Sequence, residues 1–211
     1  MTPEELLTTT RSVRKRLDLD RPVPIDLVRR ALTMALQAPS GSNRQEWQWL
    51  VVTDAEQRTR IGAVYARSCA AYLSSSGAAG RLFTENPERA AVQQRVHDSV
   101  AHLADRMGDV PVLVLPCLRT GSARLPAGNQ AGLWGSVLPA AWSYMLAART
   151  LGLGTAWTTL HLRYEREVAE ILELPDGVHQ AALIPTAYYT GETFRTAVRQ
   201  PLDEVLHVDR W

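Results

Sequence analysis

The sequence predicts a single domain of mixed helices and strands, and three observations carry that prediction. The chain has 211 residues, enough for one sizeable core. Leu27, Val28, Ala31, Leu32, Ala35 and Leu36 recur at three- and four-residue steps, the period of an amphipathic helix. By contrast, Trp47–Thr53, Val110–Leu118 and His179–Tyr189 are apolar runs with the composition of core strands. Taken alone, these runs establish a mixed set of helices and strands.

Composition narrows the function classes. Hydrophobic residues make up 45% of the chain, as in ordinary globular domains. The net charge is +1, so no global field favours nucleic acid or an anionic membrane. Lys15 is the only lysine, which leaves cationic binding to arginine. Cys69 and Cys117 have no metal-site or redox-motif spacing. The first ten residues do not read as a signal peptide, and no apolar run approaches the roughly 20 residues of a bilayer span. A cytoplasmic protein is expected.

In chain order, Thr2-Pro-Glu-Glu opens a short helix, with Thr2 as N-cap and Glu5 at the capping-box position. Arg11 to Arg16 holds four basic side chains together with Ser12 and Val13; it reads as a solvated patch or an anion site, since guanidinium groups bind phosphate bidentately. Asp20-Arg-Pro-Val-Pro leads into the helix that Pro39 ends, because proline cannot continue it. Pro39, Ser40, Gly41, Ser42 and Asn43 then form a tight polar loop rich in free backbone N–H groups. Asp54 caps a helix over about Ala55–Leu73, Ser74–Gly80 is a break, and Pro87–Met107 is a polar helix. Its His97 and His102 stand about 140° apart at 100° per residue, so no metal site is expected.

Val110–Leu118 is a buried strand whose pairing Pro111 and Pro116 restrict. A Gly/Pro-rich loop follows, then a nearly all-apolar helix over Leu133–Leu151, either central or at a subunit interface. Gly152-Leu-Gly-Thr follows a helix rather than a strand, so it reads as a helix C-cap and a strand over Thr155–Thr159, not as a dinucleotide fingerprint. Tyr164–Leu174 is an amphipathic helix, His179–Tyr189 one further strand, and the tail from Thr193 carries apolar residues that must pack on something.

Four segments, in order, resemble the flavin-dependent nitroreductase family, which includes nitroreductase, flavin reductase and iodotyrosine deiodinase branches. They are Arg11-Ser-Val-Arg14, Ala38-Pro-Ser-Gly-Ser-Asn-Arg-Gln-Glu-Trp47, Leu151-Gly-Leu-Gly-Thr-Ala-Trp-Thr-Thr159 and Arg199-Gln-Pro-Leu-Asp-Glu-Val205. The resemblance spans essentially the whole chain. It implies a nitroreductase-like α+β fold, with a central mixed or antiparallel sheet of four or five strands flanked by helices, in an intertwined homodimer. A variable lid region is expected over about 65–108 and a dimer-wrapping tail over about 193–211.

The resemblance further implies noncovalent FMN, reduced by NADPH or NADH in a ping-pong cycle with nitroaromatic, quinone or related small acceptors. Cofactor contacts are expected from Arg11, Ser12, Arg14, Pro39, Ser40, Gly41, Asn43, Trp157, Thr158, Thr159 and Arg199. Arg14 is the residue that tunes the flavin, through cationic stabilisation of its reduced form. Three departures stand out: Glu46 and Ala187 replace a usual Pro and Gly, and Thr10 precedes Arg11 where a second arginine is common. Two other readings remain open. One is a reductive dehalogenase of the deiodinase branch, whose Glu-Tyr-Lys lid set has no clear counterpart here. The other is a flavin-binding carrier or sensor without turnover.

Overall fold

The most apolar strand of the sequence becomes the middle of the sheet. The computed structural model describes residues 1–211, and its elements in chain order are α1 (Pro3–Thr9), β1 (Leu17–Asp18), α2 (Ile25–Ala35), β2 (Trp47–Val52), α3 (Ala55–Leu73), α4 (Pro87–Arg106), β3 (Val112–Arg119), α5 (Ala131–Thr150), β4 (Leu153–Thr155), α6 (Glu165–Ile171), β5 (Val178–Gln180) and β6 (Ile184–Tyr189). Along β3, Leu113, Leu115 and Cys117 join the core beneath α3 and α4, while Val112 and Val114 join the core beneath α2 and α5. This is the two-residue period of a strand buried on both faces. The result is three layers, with helices on each side of the sheet.

All strand ladders are antiparallel. One edge of β3 pairs with β2 over Leu113–Leu118. Its other edge is shared, Val112–Val114 pairing with β6 and Cys117–Arg119 with β5. β6 carries β4 along its far edge, with Thr155 opposite Thr186, and reaches β1 at Tyr188 and Tyr189. Pro116 explains the split between β5 and β6. Its carbonyl accepts from Ala181 N at 2.9 Å, so its missing N–H falls on the same edge, where the ladder is interrupted.

Local chemistry sets the helix starts. Thr2 Oγ1 accepts from Glu5 N (3.1 Å), Asp54 Oδ1 from Gln57 N (2.9 Å) and Asn86 Oδ1 from Arg89 N (3.0 Å). Each side chain satisfies a donor that a helix N-terminus leaves free. No helix is long and apolar enough to cross a membrane.

The structure corrects four sequence expectations. The sheet has six strands rather than four or five, because the two-residue β1 carries no sequence signal and one apolar run divides into β5 and β6. The strand expected over Thr155–Thr159 is β4, Leu153–Thr155: Gly152 turns the chain at φ +80° and pairing with β6 begins at once. The run His179–Tyr189 is two strands, divided opposite Pro116. The helix expected over Tyr164–Leu174 is the shorter α6, preceded by a 3₁₀ turn over Leu160–Tyr164.

One packing contact admits only glycine. A Cβ at Gly62 on α3 would lie 2.6 Å from Gly108 N and 2.8 Å from Gly108 Cα, backbone atoms that cannot swing away. Gly62→Ala is therefore expected to destabilise the protein by about 2 kcal/mol despite alanine's better helix propensity. Urea denaturation checks it, and an unchanged midpoint refutes it.

Candidate functional site

The basic run Arg11–Arg16 does not wave in solvent. After α1 the chain runs alongside β4: Ser12 forms a parallel bridge with Thr155, and Val13 N donates to Thr155 O at 2.8 Å. Gly154 permits this approach, since a Cβ there would be 3.2 Å from the Val13 side chain. Val13 is buried and turns Ser12 and Arg14 toward a cleft of about 470 Å³. Arg11, Lys15, Arg16 and Arg195 also line that cleft, and no carboxylate does. Arg14 is half-buried, and its only hydrogen bond is a long one, Nη1 to Ser99 Oγ at 3.4 Å. Burial pulls its pKa down, while the phenols of Tyr65 and Tyr72 act in the other direction.

A strap from the tail forms one wall. Arg16 donates to Thr190 O (2.6 Å) and Thr193 O (2.9 Å), and Arg11 donates to Arg195 O (3.0 Å). Phe194 lies against two guanidinium groups, with Arg16 at 4.2 Å and the buried Arg149 at 4.1 Å from its ring centre.

The segment Trp157–Thr159 continues from β4, beside this cleft. Thr158 exchanges backbone hydrogen bonds with Leu183, donating at 3.1 Å and accepting at 2.8 Å. Its peptide N–H is thus spent, and its hydroxyl contacts Tyr65 Oη at 3.1 Å. Trp157 packs on the opposite face, among the residues under α2 and α5, and Thr159 is exposed. Tyr65 lies near enough to Arg14 for the guanidinium charge to act on its phenol. Arg11, Ser12, Arg14 and Thr158 therefore form one neighbourhood.

The Pro39–Asn43 loop stands apart. Its Gly41 and Ser42, but not Pro39, Ser40 or Asn43, line a second cleft of about 520 Å³ with Ser122, Arg124 and Ser136, and that cleft shares no residue with the first. Its backbone is strained: Ser42, Asn43 and Gln45 adopt left-handed φ values of 52°, 54° and 52°. Each such residue costs on the order of 1 kcal/mol, so the conformation persists only because the surrounding structure holds it. Local bonds hold it there. Ser40 Oγ accepts from Gln45 N (3.3 Å), Ser136 Oγ from Gly41 N (2.9 Å) and Asn43 Oδ1 from Gln45 Nε2 (3.0 Å). Glu46, in place of the usual proline, pairs with Arg44 at 2.7 Å.

Arg199 falls in neither cleft. It lies with Gln200 and Pro201 against Asn86 and Arg89 at the start of α4. Arg195 is the tail arginine beside Arg11. Sequence reasoning missed Arg195, Tyr65 and Ser99. The last two sit on α3 and α4 with no local signal; only tertiary packing brings Ser99 to the cleft wall and sets Tyr65 behind it, against Thr158.

Fold and cleft together define an α+β domain whose sheet edge carries a carboxylate-free basic pocket. The chain matches the sequence profile of the nitroreductase family over residues 7–188, and it belongs to that family. A protein of Methanothermobacter thermautotrophicus, predicted to be an NADH dehydrogenase/NAD(P)H nitroreductase, is 24% identical over 210 residues, covering 98% of this chain and 86% of that protein. Two solved structures show the same fold. The FMN and NADPH-dependent nitroreductase NfnB from sphigopyxis sp. strain HMH has a TM-score of 0.71 at 22% identity, with both chains covered completely. An iodotyrosine deiodinase bound to FMN and 3-iodo-L-tyrosine has a TM-score of 0.72 at 22% identity, covering 94% of this chain and 96% of that one.

Proposed function

We propose that this protein is an FMN-dependent oxidoreductase that uses NAD(P)H to reduce nitroaromatic, quinone or related small organic acceptors with ping-pong kinetics. The observation that carries the reading is the basic cleft, in which a half-buried Arg14 has no carboxylate to pair with. Guanidinium groups without an acid partner suit a phosphate and an electron-rich ring edge. NfnB is named for its use of FMN and NADPH, and the archaeal relative for its use of NAD(P)H; both fit this assignment.

The residues fit the cofactor. Arg11 and Ser12 would hold the phosphate, with Arg195 as the tail's contribution. Arg14 would place a positive charge against the ring, and Thr158 and Thr159 would offer hydroxyl groups to its edge. When bound, FMN would supply the two-electron redox chemistry. The protein's part is to bind, orient and tune it, which is why no acid–base triad is required.

The Pro39–Asn43 loop would complete the site from a second copy. Within one chain that loop and the basic cleft are separate, and the tail exposes Val198, Leu202, Val208 and Trp211 without a covering surface. A homodimer wrapped by residues 193–211 accounts for both. We assign residues 65–108 to the segment that varies around the substrate, within one domain of 1–211; its core side, Tyr65, Leu103 and Met107, is fully packed. Two free, buried cysteines suit a reducing, cytoplasmic setting.

An absorbance spectrum tests the reading. The protein, incubated with FMN and then freed of unbound flavin by gel filtration, is expected to show bands at about 370 and 450 nm that bleach when NADPH is added without oxygen. Bands that persist would favour a flavin carrier or sensor, and no bands after FMN addition would refute the assignment.

A further inference from the structure

We infer that Tyr65 is a positioning residue for the cofactor site: its hydroxyl holds the Thr158 hydroxyl as a fixed donor, with the proton free for an acceptor on the bound ring. The inference rests on the FMN reading above. Tyr65 lies on α3, and its side chain is almost wholly buried, at 1% exposure. Its hydroxyl has one partner, Thr158 Oγ1, at 3.1 Å and 93 residues away in sequence. Leu160 N also approaches Thr158 Oγ1, at 3.4 Å.

A hydroxyl oxygen can accept two hydrogen bonds and donate one. Leu160 can only donate. Burial raises the Tyr65 pKa, so the phenol stays protonated at neutral pH and is able to donate as well. Either hydroxyl can donate across the 3.1 Å contact; with Tyr65 as donor alongside Leu160 N, the Thr158 proton is directed away from both, and no other acceptor in this chain takes it. The backbone N–H and C=O of Thr158 are both committed to Leu183. The hydroxyl is therefore the one polar group of Thr158 left to meet a ligand, and Tyr65 decides which way it points. Ser68 Oγ donates to Leu160 O from the next turn of α3, so the helix fixes the segment at two points.

The test is a double-mutant cycle on the FMN-loaded protein, read by FMN affinity in a fluorescence titration and by the position of the visible band. Tyr65→Phe removes one oxygen and keeps the ring. It is expected to weaken FMN binding about threefold to tenfold and to shift the band. In a Thr158→Val background the same substitution is expected to change neither readout. Thr158→Ser, which keeps the hydroxyl, is expected to bind FMN more tightly than Thr158→Val. Equal effects of Tyr65→Phe in both backgrounds, or no effect in either, would overturn the inference while leaving the cofactor assignment intact. A parent protein that takes up no FMN overturns both. Should Tyr65→Phe fail to fold, the comparison of Thr158→Val with Thr158→Ser decides, and identical binding by those two overturns the inference.

Discussion

Arg14→Ala is expected to weaken FMN binding by about a hundredfold while leaving the thermal midpoint unchanged or slightly raised. The first half follows from the chemistry of the cleft. A hydrogen bond from a charged donor contributes about 1.5–3 kcal/mol, and a half-buried guanidinium delivers more of that than an exposed one. The second half follows from what surrounds it. Arg14 has no carboxylate partner, only the 3.4 Å contact with Ser99, and it stands among Arg11, Lys15, Arg16 and Arg195. Removing it relieves like-charge repulsion and the cost of partial burial. Arg14→Lys keeps the charge but not the planar fork, and falls between the two. FMN titration and a melting curve on the three proteins check this. Equal affinity in Arg14→Ala would remove the residue from the site.

Acidification between pH 6.5 and 5 costs stability through His161. The side chain is fully buried, and neither ring nitrogen has a hydrogen-bond partner. Burial pulls its pKa down to about 4, while the Gln180 side chain beside it acts more weakly in the other direction. A histidine whose folded pKa lies below its unfolded value of roughly 6.5 must stay neutral to remain folded. Its contribution is complete above pH 6.5 and is lost as the pH falls toward 4. The full loss is about 3 kcal/mol, since protonating the buried ring costs about 1.4 kcal/mol for every tenfold change in its proton affinity. His161→Leu should flatten the dependence between pH 6.5 and 5, before most carboxylates titrate. Urea denaturation at half-unit steps measures it, and the same slope in both proteins would dismiss the histidine.

Much of this fold was legible because much of it is local. The bounds of α3 followed from Asp54 before Ala55 and from the small-residue run after Leu73, and the structure places that helix at Ala55–Leu73. The start of α1 followed from Thr2 and Pro3 in the same way. Strand division was not legible, since it depends on which edge of β3 Pro116 presents to its neighbours. Nor was the left-handed backbone at Ser42, Asn43 and Gln45, where none of the three is glycine. Within the candidate site, the basic run and the Thr158 hydroxyl were visible as residue types. Their connection through Tyr65 was not, because a tyrosine in an amphipathic helix looks the same whether it fills a core or orients a neighbour. Arg195 and Arg199 are four positions apart in the tail, and only the path of the strap separates their surroundings.

A site divided between two clefts, as proposed, ties function to assembly. On the proposed dimer, neither copy owns a complete catalytic pocket, so turnover becomes a property of association and obeys mass action. Dilution would silence the protein before it unfolds. A lesion in the Arg11–Arg14 segment and a lesion in the Pro39–Asn43 loop would also cease to be equivalent defects. Carried on separate chains, each would spoil only the pocket to which its own half contributes. A mixed pair would retain one sound pocket assembled from the two undamaged halves, and two alleles that are each inactive alone would complement one another.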